Sequence, residues 1–271
     1  MSCDPEFFDG RVMHWREVNG VLLGEIAYRP GARRALHAHK RACLHLNLQG
    51  GYIEKLGSRE WNCTQLAVAF QPPGHEHAYR CHDVATRAFT IEFGESWLKR
   101  LHDIGVAPRP GLLHHSLVDL VLRLRAEYRA CDSASQLCIE GLLLEILAGA
   151  VRQWSGEGTR REPPWLRLVD GILRERFTET LTLDDLAAET GMHPVHIART
   201  FRAYRGATVG AFVRQLRVAR ACDLLAERDR PLADIAVELG FFDQSQFTRV
   251  FRRSTGVPPG QYRNIAGSRP R

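Results

Sequence analysis

The chain has 271 residues, 44% hydrophobic and 25% charged, which excludes a wholly disordered, collagenous or coiled-coil protein and leaves room for two domains of ordinary size. The net charge is +6 and unevenly placed: residues 165–271 hold 17 arginines against 12 acidic residues, so nearly all the excess lies in the last two fifths. That asymmetry points to a polyanionic partner at the C-terminal end.

No run approaches the length of a membrane span, since Glu145 breaks the most apolar stretch, Gly141–Val151, and no membrane partner is expected. Met1–Gly10 carries Asp4, Glu6 and Asp9 where a signal peptide needs positive charge and then an apolar core, which makes a cytoplasmic chain the expectation. Seven cysteines without a C-x-x-C pair give neither a disulfide framework nor a zinc-finger pattern.

From Val21 to Phe93 short runs alternate with period two: Leu44-Leu46-Leu48, Leu66-Val68-Phe70 and Phe89-Ile91-Phe93. Turn signals separate them at Pro30-Gly31, Gly50-Gly51, Gly57-Ser58 and Pro72-Pro73-Gly74. Many short strands at this spacing predict a sandwich or small barrel. After Gly94 the spacing becomes helical, through Trp97 and Leu101, Leu117 to Leu124, and Leu137 to Trp154. Residues 155–164 combine glycines, arginines and prolines with almost nothing to bury, and read as a linker. The expected organisation is thus α+β: residues 1–154 a barrel with trailing helices, 155–164 a linker, and 165–271 an all-α domain. The helices within 112–154 are expected to pack on their own domain, with a homodimer interface as the other use of their apolar stripe.

The last segment repeats itself. Leu183, Asp185, Leu186, Ala187, Glu189 and Gly191, followed by Arg199, Phe201, Arg202 and Gly206, recur as Leu232, Asp234, Ile235, Ala236, Glu238 and Gly240, followed by Arg249, Phe251, Arg252 and Gly256. Each copy reads as a helix, a glycine turn and a second helix. Thr182 with Asp185, and Asp243 with Gln246, supply capping pairs, with Phe242 and Phe247 expected as the hydrophobic staple of the last helix. His193 followed by Pro194 opens the first recognition helix. Phe201, Phe251 and Trp165 read as core.

Val195, Ala198 and Arg199 in one second helix, and Gln244, Ser245 and Arg249 in the other, are the candidate base readers. Arginine bonds guanine in bidentate fashion, glutamine bonds adenine, and a short apolar side chain meets the thymine methyl group. A connecting helix from Val209 to about Arg228 would span roughly 30 Å, near one turn of duplex at about 34 Å. Double-stranded DNA is the expected partner.

Residues 165–263 resemble the DNA-binding domain of the AraC/XylS-type transcription regulators, most specifically in Ile235–Phe241, Asp243–Phe251, Gly256–Pro259 and Gln261–Arg263. The resemblance implies an effector-responsive regulator, an activator more than a repressor, that contacts RNA polymerase. Gly31 with His37 and His39, and Pro72 with Gly74 and His77, are similar to the two cupin motifs of such effector domains, which in metal-binding cupins hold a divalent ion with a glutamate. Here the glutamate's place is taken by Leu44 and His45, with His75 as a weaker substitute. His37, His39, His45, Asn47 and His77 are therefore effector-pocket candidates. His37, His39 and His77 are low-ranked metal candidates, and neither cofactor nor enzymatic activity is expected. If the leucines of the 44–48 run fill the barrel, His45 points outside; the converse has His45 and Asn47 lining a polar cavity and the leucines beneath the helices. The alternative from a different class is a cupin-type metal-dependent enzyme fused to a DNA-binding module. A DNA-repair methyl acceptor would need a clustered, activated cysteine, which the scattered cysteines argue against.

Overall fold

A computed structural model describes residues 10–155, 163–225 and 230–267; residues 156–162 of the expected linker lie outside the described residues. The chain divides into two units, Met1–Leu113 with Leu147–Ser155, and His114–Ile146 with Gly156–Arg271. Residues 114–146, expected with the strands, group with the C-terminal helices. Among the described residues no helix is long and apolar enough to cross a membrane.

The first unit is built from strands β1 (Arg11–Val18), β2 (Val21–Tyr28), β3 (Arg33–His37), β4 (Ala42–Gln49), β5 (Tyr52–Leu56), β6 (Arg59–Cys63), β7 (Val68–Gln71), β8 (His77–Cys81), β9 (Thr86–Phe93) and β10 (Gly111–Leu113), with helix α1 (Glu95–Asp103). Six form one antiparallel sheet, in the order β1-β2-β9-β4-β7-β10, and four a second, β3-β8-β5-β6. Gly57, at φ 56°, turns β5 into β6 as the sequence indicated. Leu66, read as a strand residue, instead sits in a turn at φ 62°.

The central strands of the larger sheet, β2, β9, β4 and β7, are buried on both faces. Leu44, Phe70 and Ile91 lie abreast on β4, β7 and β9, and this apolar face meets helices: Phe93 packs on Trp97 and Phe70 on Trp154, at ring separations of 6.2 and 4.8 Å. The other face presents His45 abreast of Ala69 and Thr90. His45 is 6% exposed. The expectation that the leucines would put His45 outside is thereby corrected. Helices cover the apolar face, so His45 points into the space between the sheets, which it shares with the apolar cluster of Leu22, Ile26, Tyr79 and Cys81.

The second unit comprises α2 (Val118–Ala130), the Ser135–Ile146 part of α3 (Ser135–Ser155), α4 (Pro164–Glu175), α5 (Leu183–Thr190), α6 (Pro194–Arg205), α7 (Val209–Leu224), α8 (Leu232–Glu238), α9 (Gln244–Thr255) and α10 (Pro259–Gly267). The repeat is visible in the backbone: α5 turns into α6 at Gly191 and α8 into α9 at Gly240, at φ 68° and 73°. Thr182 and Asp185 cap α5 reciprocally, and the Asp243 carboxylate accepts the Gln246 N–H at 2.6 Å at the start of α9. The core is aromatic, with Phe201, Phe212, Phe247 and Phe251 fully buried. Two expectations fail here. Phe242 is 90% exposed, and Phe241, one residue earlier, packs on Phe247 at 5.3 Å. Trp165 is half-buried against the His196 ring rather than in the core. The connecting helix α7 ends at Leu224, with Leu225 as its C-cap, and spans about 24 Å at 1.5 Å per residue, shorter than the roughly 30 Å expected for a helix running to about Arg228.

Candidate nucleic-acid interface and ligand pocket

The recognition helices start by different chemistry. His193 caps α6, its Nδ1 accepting the Val195 N–H at 3.3 Å, and Pro194 follows as the first helical residue. At α9 the Gln246 side chain turns back to accept the Phe242 N–H at 2.9 Å, so Gln246 serves the cap. Val195, Arg199, Gln244, Ser245 and Arg249 are exposed and Ala198 is half-buried. Arg202, Arg252 and Arg253 extend these exposed faces.

Other arginines of the basic segment are structural. Arg205 pairs with Asp170. Arg217 donates to the carbonyls of Phe177 and Glu179 at 2.7 and 2.8 Å and to that of Gly240, pinning the second glycine turn.

In the first unit, β3 and β8 pair with His37 opposite His77. One ring nitrogen from each of His37, His39 and His77 lies within 4.8 Å of the others. Nδ1 of His37 is 2.9 Å from the Ala35 carbonyl and Nδ1 of His77 is 3.1 Å from that of His75, contacts that place the proton on Nδ1 and direct Nε2 to act as an acceptor or ligand. Burial, followed by neighbouring imidazoles, lowers His39 to about 3. Three imidazoles of this kind fit a divalent metal, although the set contains no carboxylate.

Beside this group is a pocket with an empty volume of about 350 Å³, its open mouth included, lined among others by Tyr28, His45, Tyr52, Glu54, His77 and Tyr79. His45 Nδ1 lies 3.0 Å from the Thr90 hydroxyl, and burial lowers it to about 3. Desolvation lowers His77 to about 4. His45 and His77 thus line the pocket, whereas His37 and His39 are not among its lining residues. Neither is Asn47, whose side-chain amide donates to the Cys63 and Thr64 carbonyls while its main chain binds Leu66 and Ala67. Its role is to hold the Leu66 turn.

Glu54 and the three tyrosines escaped the sequence reading. They come together because Tyr52 and Glu54 on β5 lie opposite Cys81 and Tyr79 on β8. Only the alternation His77-Tyr79-Cys81 could have flagged one side of this face.

A family model described as an AraC-like ligand binding domain matches residues 19–147, and one described as a helix-turn-helix domain matches residues 186–265. Regulatory protein SoxS of Escherichia coli (strain K12) is 36% identical over 90 residues, which cover 33% of this chain and 84% of SoxS. The bifunctional transcriptional activator/DNA repair enzyme AdaA of Bacillus subtilis (strain 168) is 31% identical over 102 residues, 38% of this chain. The chain spans about half of that relative, 48% of its length. Among solved structures, the C-terminal domain of AraT, a response regulator from Geobacillus stearothermophilus, is 27% identical with a TM-score of 0.37, over 39% of this chain and 88% of that one. Given the doubled helix-turn-helix and the extent of the match to SoxS, the chain belongs to the AraC/XylS family of transcription regulators.

Proposed function

We propose that the protein is a cytoplasmic one-component regulator: its sheet-rich unit binds a small effector, and its two helix-turn-helix motifs place it on double-stranded DNA, where it activates transcription through RNA polymerase. The observation that carries this reading is the doubled motif, each copy presenting Arg199 or Arg249 one turn into an exposed helix. The names of SoxS and AdaA support a regulatory role, the latter an activating one. His45 and His77 are the pocket's contribution from the cupin-type motifs. Leu137 and Leu144, exposed on α3 at 76% and 45%, are the residues that support a homodimer contact in 112–154. Fluorescence anisotropy on promoter fragments from beside its own gene tests the reading. Selective binding at physiological salt is expected, and equal affinity for random DNA overturns it.

A metal-dependent enzyme is the second reading, favoured by the three converging imidazoles alone. His37, His39 and His77 would hold a divalent ion, which when bound supplies a Lewis-acidic centre. Stoichiometric metal together with turnover of a small substrate would establish it against the sensor.

A further inference from the structure

We propose that the pocket between the sheets takes a small organic cation of the alkylammonium class, with Glu54 as its counter-charge and the rings of Tyr28, Tyr52 and Tyr79 as its walls. This rests on the reading of the sheet-rich unit as the effector-binding part, and names the chemistry of the effector.

Glu54 sits mid-strand on β5 and is 3% exposed. Its neighbours are the Cys63 thiol at 3.9 Å, the Gln71 amide and His77 Nε2 at 3.8 Å. Among the described residues no lysine or arginine pairs with it. A buried carboxylate without a cation is costly to ionise. A ligand that carries the missing positive charge would recover that cost.

The walls suit such a ligand. Tyr79 meets Tyr28 and Tyr52 edge to face, with centroids 5.9 and 6.0 Å apart and rings inclined by 77° and 66°. Burial raises the Tyr28 and Tyr52 phenols well above their ordinary range, so both stay neutral. Tyrosine faces attract a cation through the ring quadrupole, most strongly when it is desolvated. An anion would meet Glu54 with no lysine or arginine in the lining. Arg34 lies opposite Tyr79 on β3, is half-buried, and does not line the pocket.

The test uses the full chain and calorimetric titration with methylammonium, choline and 1,4-diaminobutane, against 3,3-dimethylbutan-1-ol, the uncharged carbon analogue of choline, and against acetate and Zn²⁺. At least one ammonium ion should bind. Choline should exceed its uncharged analogue by about ten-fold or more, equivalent to about 1.4 kcal/mol. Glu54→Gln should abolish that preference, Glu54→Asp should keep most of it, and Tyr52→Leu should weaken the cation more than the alcohol, each variant retaining a cooperative melt. The proposal is overturned if no ammonium ion binds below about 10 mM, if the alcohol binds as well as choline, or if acetate or Zn²⁺ alone is taken. The same preparation is assayed on DNA. Selective DNA binding without cation binding sinks this inference alone, whereas absence of DNA selectivity sinks the regulator reading whatever the titrations give.

Discussion

The Arg125 guanidinium on α2, 2% exposed, donates through Nη1 to the Tyr262 hydroxyl on α10, 137 residues later in the chain. That bond ties a helix expected among the strands to the end of the helix-turn-helix unit. A charge taken out of water depends on such partners. Tyr262→Phe, which removes the hydroxyl and keeps the ring, should cost about 1.5–3 kcal/mol in urea unfolding. An unchanged midpoint would mean that Arg125 does not depend on this bond.

The two glycine turns should respond unequally to the same substitution. Gly191 and Gly240 both have positive φ, but a Cβ at Gly191 meets nothing within 4 Å, whereas at Gly240 it would fall 1.9 Å from the Thr178 carbonyl oxygen. Gly191→Ala should therefore cost about 1–2 kcal/mol for the left-handed backbone alone. Gly240→Ala should cost clearly more, about 3 kcal/mol or above, because main chain must move. Thermal denaturation of both variants decides it, and equal losses would contradict the close approach.

Stability of the first unit should fall in acid. Burial holds His45 at about 3, and His39 and His77 are lowered to about 3 and 4, against 6.5 in an unfolded chain. The unfolded state then binds more protons below about 6.5, so their contribution is complete above that pH and is lost progressively toward 4. Glu54, raised to about 7, acts with opposite sign between 4.5 and 7 and offsets part of the slope. Unfolding midpoints from pH 4.5 to 8 should rise and then flatten, and His45→Asn should reduce the rise. A profile that climbs on acidification would contradict the buried neutral imidazoles.

The periodic features of the sequence were easier to read than those set by long-range pairing. The doubled motif was legible because capping residues and left-handed glycines act locally, within a turn of Thr182, Asp243, Gly191 and Gly240. The staple failed by one residue: the backbone entering α9 sends Phe241 inward and leaves Phe242 in solvent, a direction that spacing alone does not encode. His45 was misplaced by the expectation that apolar side chains fill the barrel, whereas helices cover the leucine face. Glu54 was invisible because its surroundings depend on the β5–β8 register, which sets it opposite Tyr79 across 25 positions of sequence. On α2, Arg125 is buried beside Val121, Leu122 and Leu124, although an arginine in an isolated helix reads as solvated.

Base reading by the two exposed arginines should separate from general attraction to phosphate. Arg249→Ala should cost about 1–3 kcal/mol on the preferred site and relax the choice at one base pair, with Arg199→Ala doing so at another. Arg252→Ala and Arg253→Ala, if they meet phosphates, should weaken specific and random duplexes alike and flatten the salt dependence. Competition with single-base variants of the site distinguishes the two patterns. Uniform weakening by Arg249→Ala would remove it from the readers.

The central claim, that α6 and α9 read DNA together, is tested most directly by selecting bound duplexes from a random library with the full chain and sequencing them. The account predicts an enriched site with two conserved elements centred about 10–11 base pairs apart, successive major grooves on one face of the duplex, and loss of one element each in Arg199→Ala and Arg249→Ala. A pool without enrichment, or a site whose elements both survive both substitutions, would contradict it.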